Sequence, residues 1–214
     1  MKKNLPRILM IIAVLGLGTL FLFPMWKITL IAPQYPKGVT MHIHINKLGG
    51  ETPAVIQNIN ILNHYVGMKY IEEDSIPELK YFPYVVMAMM AMGLLMAAVD
   101  KPKLYLGWAI LLSLLAMAGL YDFYLWEYDY GHSLSPTAPI KIPGASFQPP
   151  LFGSKQIISF TAISLPHIGG YFAGSSILLA GLAWWQKSKL DKNETTDSTS
   201  DNSHISSERL HTVA

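Results

Sequence analysis

Residues 82–123 read FPYVVMAMMAMGLLMAAVDKPKLYLGWAILLSLLAMAGLYDF, two long apolar runs parted only by Asp100-Lys101-Pro102-Lys103. Each run approaches the ~20 residues that cross a hydrocarbon core of ~30 Å. A backbone in lipid must satisfy its own hydrogen bonds, so both runs predict helices, folded back on each other at the polar tetrapeptide. Pro83 falls in a first helical turn, where a missing N–H costs little. Two more apolar segments flank this hairpin: Ile8–Phe23, ILMIIAVLGLGTLFLF, which can continue past Pro24 to Leu30, and Gly169–Trp185. The expectation is an all-α membrane protein with four transmembrane helices over about 8–30, 82–99, 104–123 and 169–185. Outer loops 31–81 and 124–168 then form a small cap with room for a short strand pair, and 186–214 a disordered tail.

Composition agrees with a membrane location. Of 214 residues, 51% are hydrophobic and 14% charged, with mean hydropathy +0.30, too apolar for an ordinary soluble domain. A net charge of +2 gives no case for nucleic acid. The absence of cysteine excludes disulfides, thiolate metal sites, iron–sulfur clusters and covalently attached haem. Three basic clusters flank the apolar segments: Lys2, Lys3 and Arg7; Lys101 and Lys103; and Lys187, Lys189 and Lys192. With four spans all three lie on one side, so the positive-inside rule puts both termini in the cytoplasm and both loops on the outer side. The exit from the first span, PMWKITLIAPQ, has no small-residue cleavage site, which favours an uncleaved signal anchor.

The loops have distinct characters. Val39, Met41, Ile43 and Ile45 alternate with Thr40, His42 and His44, a strand pattern, and Ala54–Met68 carries apolar residues at helical spacing. In the second loop Tyr124, Trp126, Tyr128 and Tyr130 read as an interfacial aromatic belt. Pro136, Pro139, Pro143, Pro149 and Pro150 favour a stiff extended strap, and Phe152–Leu165 reads as a short interfacial helix. From 186 onward the composition is that of a disordered tail.

His42 and His44, two apart on a strand, point to the same side. His64 and Met68, four apart on a helix, share one stripe with Asn60. Imidazole and thioether suit copper, and neither suits magnesium or calcium. His42, His44, His64 and Met68 are thus the candidate metal ligands, against the plainer reading of a polar strand face and a helix edge. His132 and His167 are further imidazoles near the same loops, while Asp122, Glu127 and Asp129 read as solvated carboxylates in an aromatic collar. Gly170 and Gly174 make a G-x-x-x-G suited to close contact with Gly16 or Gly18, or with a second copy of the chain. No phosphate loop, nucleophile elbow, H-E-x-x-H or dinucleotide glycine motif occurs, and no charge sits mid-span, so an independent enzyme is not expected.

The segments YPKGVTMHIHINK, INILNHYVGMKYIE and YDYGHSLSPTAPIKIPGASFQPPLFGSKQ resemble a family of small membrane proteins encoded in nitrous oxide respiration gene clusters of Bacteroidota-type bacteria. The similarity covers most of residues 30–170. It implies an accessory protein of denitrification working in the periplasm beside the copper enzyme nitrous oxide reductase, and carries over no functional residue. Copper held transiently, or a copper protein docked during assembly, is the leading expectation. The alternatives are a metal-free scaffold recruiting partners through the strap, and a quinol-interacting subunit using Tyr128, Tyr130 and His132.

Overall fold

The computed structural model describes residues 2–211 except 142, 143, 145, 158 and 159, and side chains for 3–193 outside those positions. Pro143 of the strap therefore lies outside the described residues, as do the side chains of His204 and His211. The chain runs α1 (Leu5–Gly18), β1 (Trp26–Ala32), β2 (Tyr35–Ile43), β3 (Leu48–Gly50), α2 (Val55–Val66), α3 (Glu78–Val99), α4 (Pro102–His132), β4 (Gly153–Ile157), β5 (Phe160–Pro166) and α5 (Ile168–His211).

The all-α expectation is overturned. One antiparallel sheet of five strands, in the order β3-β2-β1-β5-β4, joins both outer segments. The first span does not continue to Leu30. A 3₁₀ turn at Thr19–Phe21 ends the helix, Pro24 follows, and Trp26–Ala32 extends as a strand. Its Ile28, Thr29 and Ile31 are β-branched, stiff in a helix and at home on a pleated surface. Phe152–Leu165 is not a helix either, because β4 and β5 occupy that stretch.

Three helices are long and apolar enough to cross a membrane: Glu78–Val99, Pro102–His132 and the Ile168–Asn193 part of α5. The apolar N-terminal helix, Leu5–Phe21, is shorter and does not qualify as a fourth. It packs against α3 and α5 through Met10, Ala13, Val14 and Leu17, each at most 1% exposed. Gly16 permits this approach, since a Cβ there would stand 2.8 Å from Ser176 Oγ; at Gly174 nothing lies within 4 Å. The G-x-x-x-G pair therefore does not make the α1–α5 contact. In α5 the helix continues to His211, through residues whose composition reads as disordered, by propagation from an already formed helix.

Asp100 ties the helix ends at one face of the bundle. Its left-handed φ of 55° turns the chain between α3 and α4. Its carboxylate accepts hydrogen bonds from Lys187 Nζ at 3.0 Å and Tyr105 Oη at 2.7 Å, with Arg7 at 3.8 Å. At the opposite face α4 overshoots. Its 31 residues run about 46 Å at 1.5 Å per residue, well beyond a bilayer core. α3, with 22 residues from the same turn, is shorter than α4, so the last turns of α4 extend past its start. Beyond it, Phe123, Trp126 and Tyr130 leave the bundle core and enter a second core beneath the sheet. The aromatic residues 124–130 are thus helical, not a loop.

Asp100→Asn tests the tie while keeping a side chain that tolerates the left-handed turn. Loss of the charge is expected to cost about 1 to 3 kcal/mol, read as a lower midpoint of thermal unfolding in detergent. An unchanged midpoint would assign the cluster no structural role.

Candidate functional site

The two faces of the sheet carry different chemistry. Val39, Met41 and Ile43 of β2 and Ile28 and Leu30 of β1 face the second core, where Val55 and Ile59 of α2 cover them. Alternation sends Lys27, Thr29, Thr40 and His42 to the other face, with Lys27 paired to His42 and Thr29 to Thr40. His44 continues that polar face.

On this face the structure places His42 and His44 beside a third imidazole, that of His167. His42 lies 5.0 Å from His167, ring centre to ring centre. His167 arrives there because β1 pairs with β5, Lys27 opposite Leu165, and because its own N–H is bonded to Met25 O at 3.0 Å. Its Nδ1 is buried without a hydrogen-bond partner. Burial, then the neighbouring charges of His42 and Lys27, holds the His167 imidazole below its ordinary pKa. His44 is lowered likewise, by burial first and then by Lys47, His42 and His167. Three imidazoles therefore feel one another on one sheet face. Among the described residues, however, no group of three or more His, Asp or Glu side chains is arranged to hold a metal ion.

His64 and Met68 do not join them. His64 stacks on Tyr70 at 6.2 Å, and its Nδ1 lies 3.3 Å from Tyr70 Oη. Met68 borders the cavity beneath the sheet, on the side that Met41 faces. The sheet lies between the two halves of the sequence-derived ligand set. Tyr128, Tyr130 and His132 also separate. His132 stacks on exposed Tyr128 at 4.0 Å, whereas Tyr130 is buried and donates to Tyr70 O at 3.1 Å.

The proline-rich strap is bound within the molecule. Ser135 N–H donates to Gly67 O at 2.7 Å, Ile140 N–H to Tyr65 O at 2.9 Å, and Phe147 N–H to Gly131 O at 3.0 Å. Gly67 ends α2 at φ +82°, a conformation that favours glycine, and the strap crosses above it. Beneath the strap lies a partly open cavity of about 360 Å³ between β1, β2, α2 and the overshooting end of α4. Glu127 borders it, fully buried, and neither carboxylate oxygen has a hydrogen-bond partner among the described residues. Asp129, by contrast, is exposed and paired with Lys69 at 2.6 Å. Sequence reasoning grouped the two carboxylates; the helical phase of α4 separates them.

No protein-family model matches this chain, and no curated protein matches it.

Gly131→Ala tests whether the strap is a fixed part of the cap. A Cβ there would meet the Gln148 backbone at 2.4 Å, so the strap must lift. The variant is expected to lose about 1 to 3 kcal/mol and to be cut faster by protease between 135 and 150. Gly107→Ala on the same helix, where a Cβ meets nothing within 4 Å, should change neither.

Proposed function

We propose that this is an accessory factor of the bacterial cytoplasmic membrane whose periplasmic cap holds copper transiently while a respiratory copper enzyme is assembled. Three helices able to cross a membrane support the anchoring. Lys187 pairs with Asp100 in space, Lys101 and Lys103 follow Asp100 in the chain and Lys189 follows Lys187, and the positive-inside rule makes that end cytoplasmic. The sheet, at the other end of α5, then faces the periplasm. The resemblance to proteins of nitrous oxide respiration makes nitrous oxide reductase the expected client.

One observation carries the copper reading: the His42–His167 pair, with a buried ring nitrogen that no protein group satisfies. With metal–nitrogen bonds of about 2 Å, two imidazoles on one ion have ring centres roughly 5 to 6 Å apart. The observed 5.0 Å fits. Imidazole is a good copper ligand, and a site of two imidazoles with His44 alongside suits a metal that is passed on instead of kept. Bound copper would supply a cargo ion here; the chain's own part is to present ring nitrogens from β2 and from the junction of β5 with α5.

Titrating Cu(I) against a competing chelator on the detergent-purified protein tests this. About one copper per chain is expected, bound at least tenfold more weakly after His42→Ala with His167→Ala and unchanged after His64→Ala with Met68→Ala. Loss in the second variant instead, or no copper in the parent protein, would overturn the assignment to the sheet face.

A further inference from the structure

The cavity beneath the strap is independent of the histidine face, and its chemistry is different. Five aromatic side chains border it: Trp126 and Tyr130 from α4, Tyr65 from α2, Phe147 from the strap and Phe160 from β5. At about 360 Å³ it falls within the range of small-molecule sites. Into this apolar wall α4 sets one carboxyl group, Glu127, with both oxygens unpartnered and no exposed surface. An unpaired buried carboxylate is costly, and a fold has no packing reason to keep one where glutamine or leucine would serve.

Among the described residues no group supplies the missing donors. Asn63 Nδ2 is committed to Lys69 O at 3.3 Å and Tyr130 Oη to Tyr70 O at 3.1 Å. Gln34 and Tyr65, also on the wall, make no bond to Glu127. A ligand that displaces the side chains now covering Glu127 can bring them. A neutral hydrogen-bond acceptor would use the proton of the acid form and leave the second oxygen unsatisfied. An ammonium group has up to three N–H donors, enough for both oxygens, and aromatic faces attract cations. We propose that the cap binds a small organic ammonium ion with an apolar body, its nitrogen on Glu127 and its body among the aromatic side chains.

The titratable groups facing Glu127 are few. Tyr65 from α2 and Tyr130 from α4 share its cavity wall, while β1, β2, β5 and the strap contribute apolar side chains and the uncharged Gln34. Cation binding requires the carboxylate form, so affinity should rise as pH rises through the range where the acid ionises.

Calorimetric titration of the full-length protein in non-ionic detergent tests this, using phenethylammonium as the probe and 3-phenylpropan-1-ol as its uncharged counterpart. Saturable binding of one phenethylammonium per chain is expected, tightening from about pH 6.5 to about pH 8.5. It should be at least tenfold weaker in Glu127→Gln, with the alcohol unable to displace the amine. The glutamine is nearly isosteric, and an unchanged or higher unfolding midpoint will certify that the variant folds. Leu62→Trp, filling the cavity from α2, should abolish binding in a protein that still melts cooperatively. Equal binding by the Gln variant, unsaturable heats alike in both proteins, or an alcohol that binds as well and more tightly at low pH, would each overturn the proposal.

Discussion

The structure depends on one joint, where two helices of the bundle become two paired strands of the sheet. α1 passes through Phe23-Pro24-Met25 into β1, and β5 passes through His167 into α5. The seam is closed by His167 N–H on Met25 O and Gly169 N–H on Pro24 O, at 3.0 and 2.9 Å. No side chain fits there: a Cβ on Gly169 would lie 2.8 Å from the Phe23 and Pro24 carbonyls, and one on Gly170 would lie 2.4 Å from Met25 O. The register of the sheet follows from this seam, with Trp26 opposite Pro166 and pairs continuing to Ile31 opposite Thr161. β2 and β4 then add outward from a central pair that is already fixed to α1 and α5.

From the joint come two cores with different partners. The bundle core collects Met10, Val14, Leu17, Met89 and Trp108, whose indole donates to Met89 O at 2.9 Å. Outside it the helices keep apolar surface, as only 22% of each candidate span's apolar window is buried. The cap core is closed on one side by the sheet and on another by α4, which belongs to both. A single helix longer than the bilayer thus sets the height of the cap, and its phase decides that Glu127 is buried while Asp129 meets Lys69 in solvent. The strap completes the enclosure through backbone hydrogen bonds, which need no particular side chains and are compatible with a proline-rich sequence.

Much of the helical framework was legible in the sequence, because length and hydropathy are local properties. The sheet was not, for physical reasons visible in particular residues. Trp26–Ala32 is as apolar as the helix before it, so hydropathy ran the two together; the break at Pro24 and the β-branched Ile28, Thr29 and Ile31 were the available signal. In β5 the inward residues are the small Ala162 and Ser164 and the outward ones Ile163 and Leu165, which inverts the usual alternation and hides the strand. His42 and His44 were found by spacing. Their neighbour His167 had no spacing to reveal it, since only the β1–β5 pairing brings it near. Glu127 was concealed by ending the third span at Phe123. Continued as a helix, Phe123, Trp126, Glu127 and Tyr130 form one stripe, and a carboxylate among three aromatics marks a buried acid.

The histidine face and the acid-bearing cavity are both consequences of where β1 and β5 meet, so that pairing is the claim to test most directly. The chain lacks cysteine, which permits a clean crosslink between Thr29→Cys and Ile163→Cys, residues directly opposite in the register. Mild oxidation of the membrane-embedded double variant with diamide should form an intramolecular disulfide in high yield, and a Thr29→Cys, Leu165→Cys pair offset along the strand should form far less. Equal yields from both pairs, or none from either, would contradict the central pairing and with it the placement of both sites.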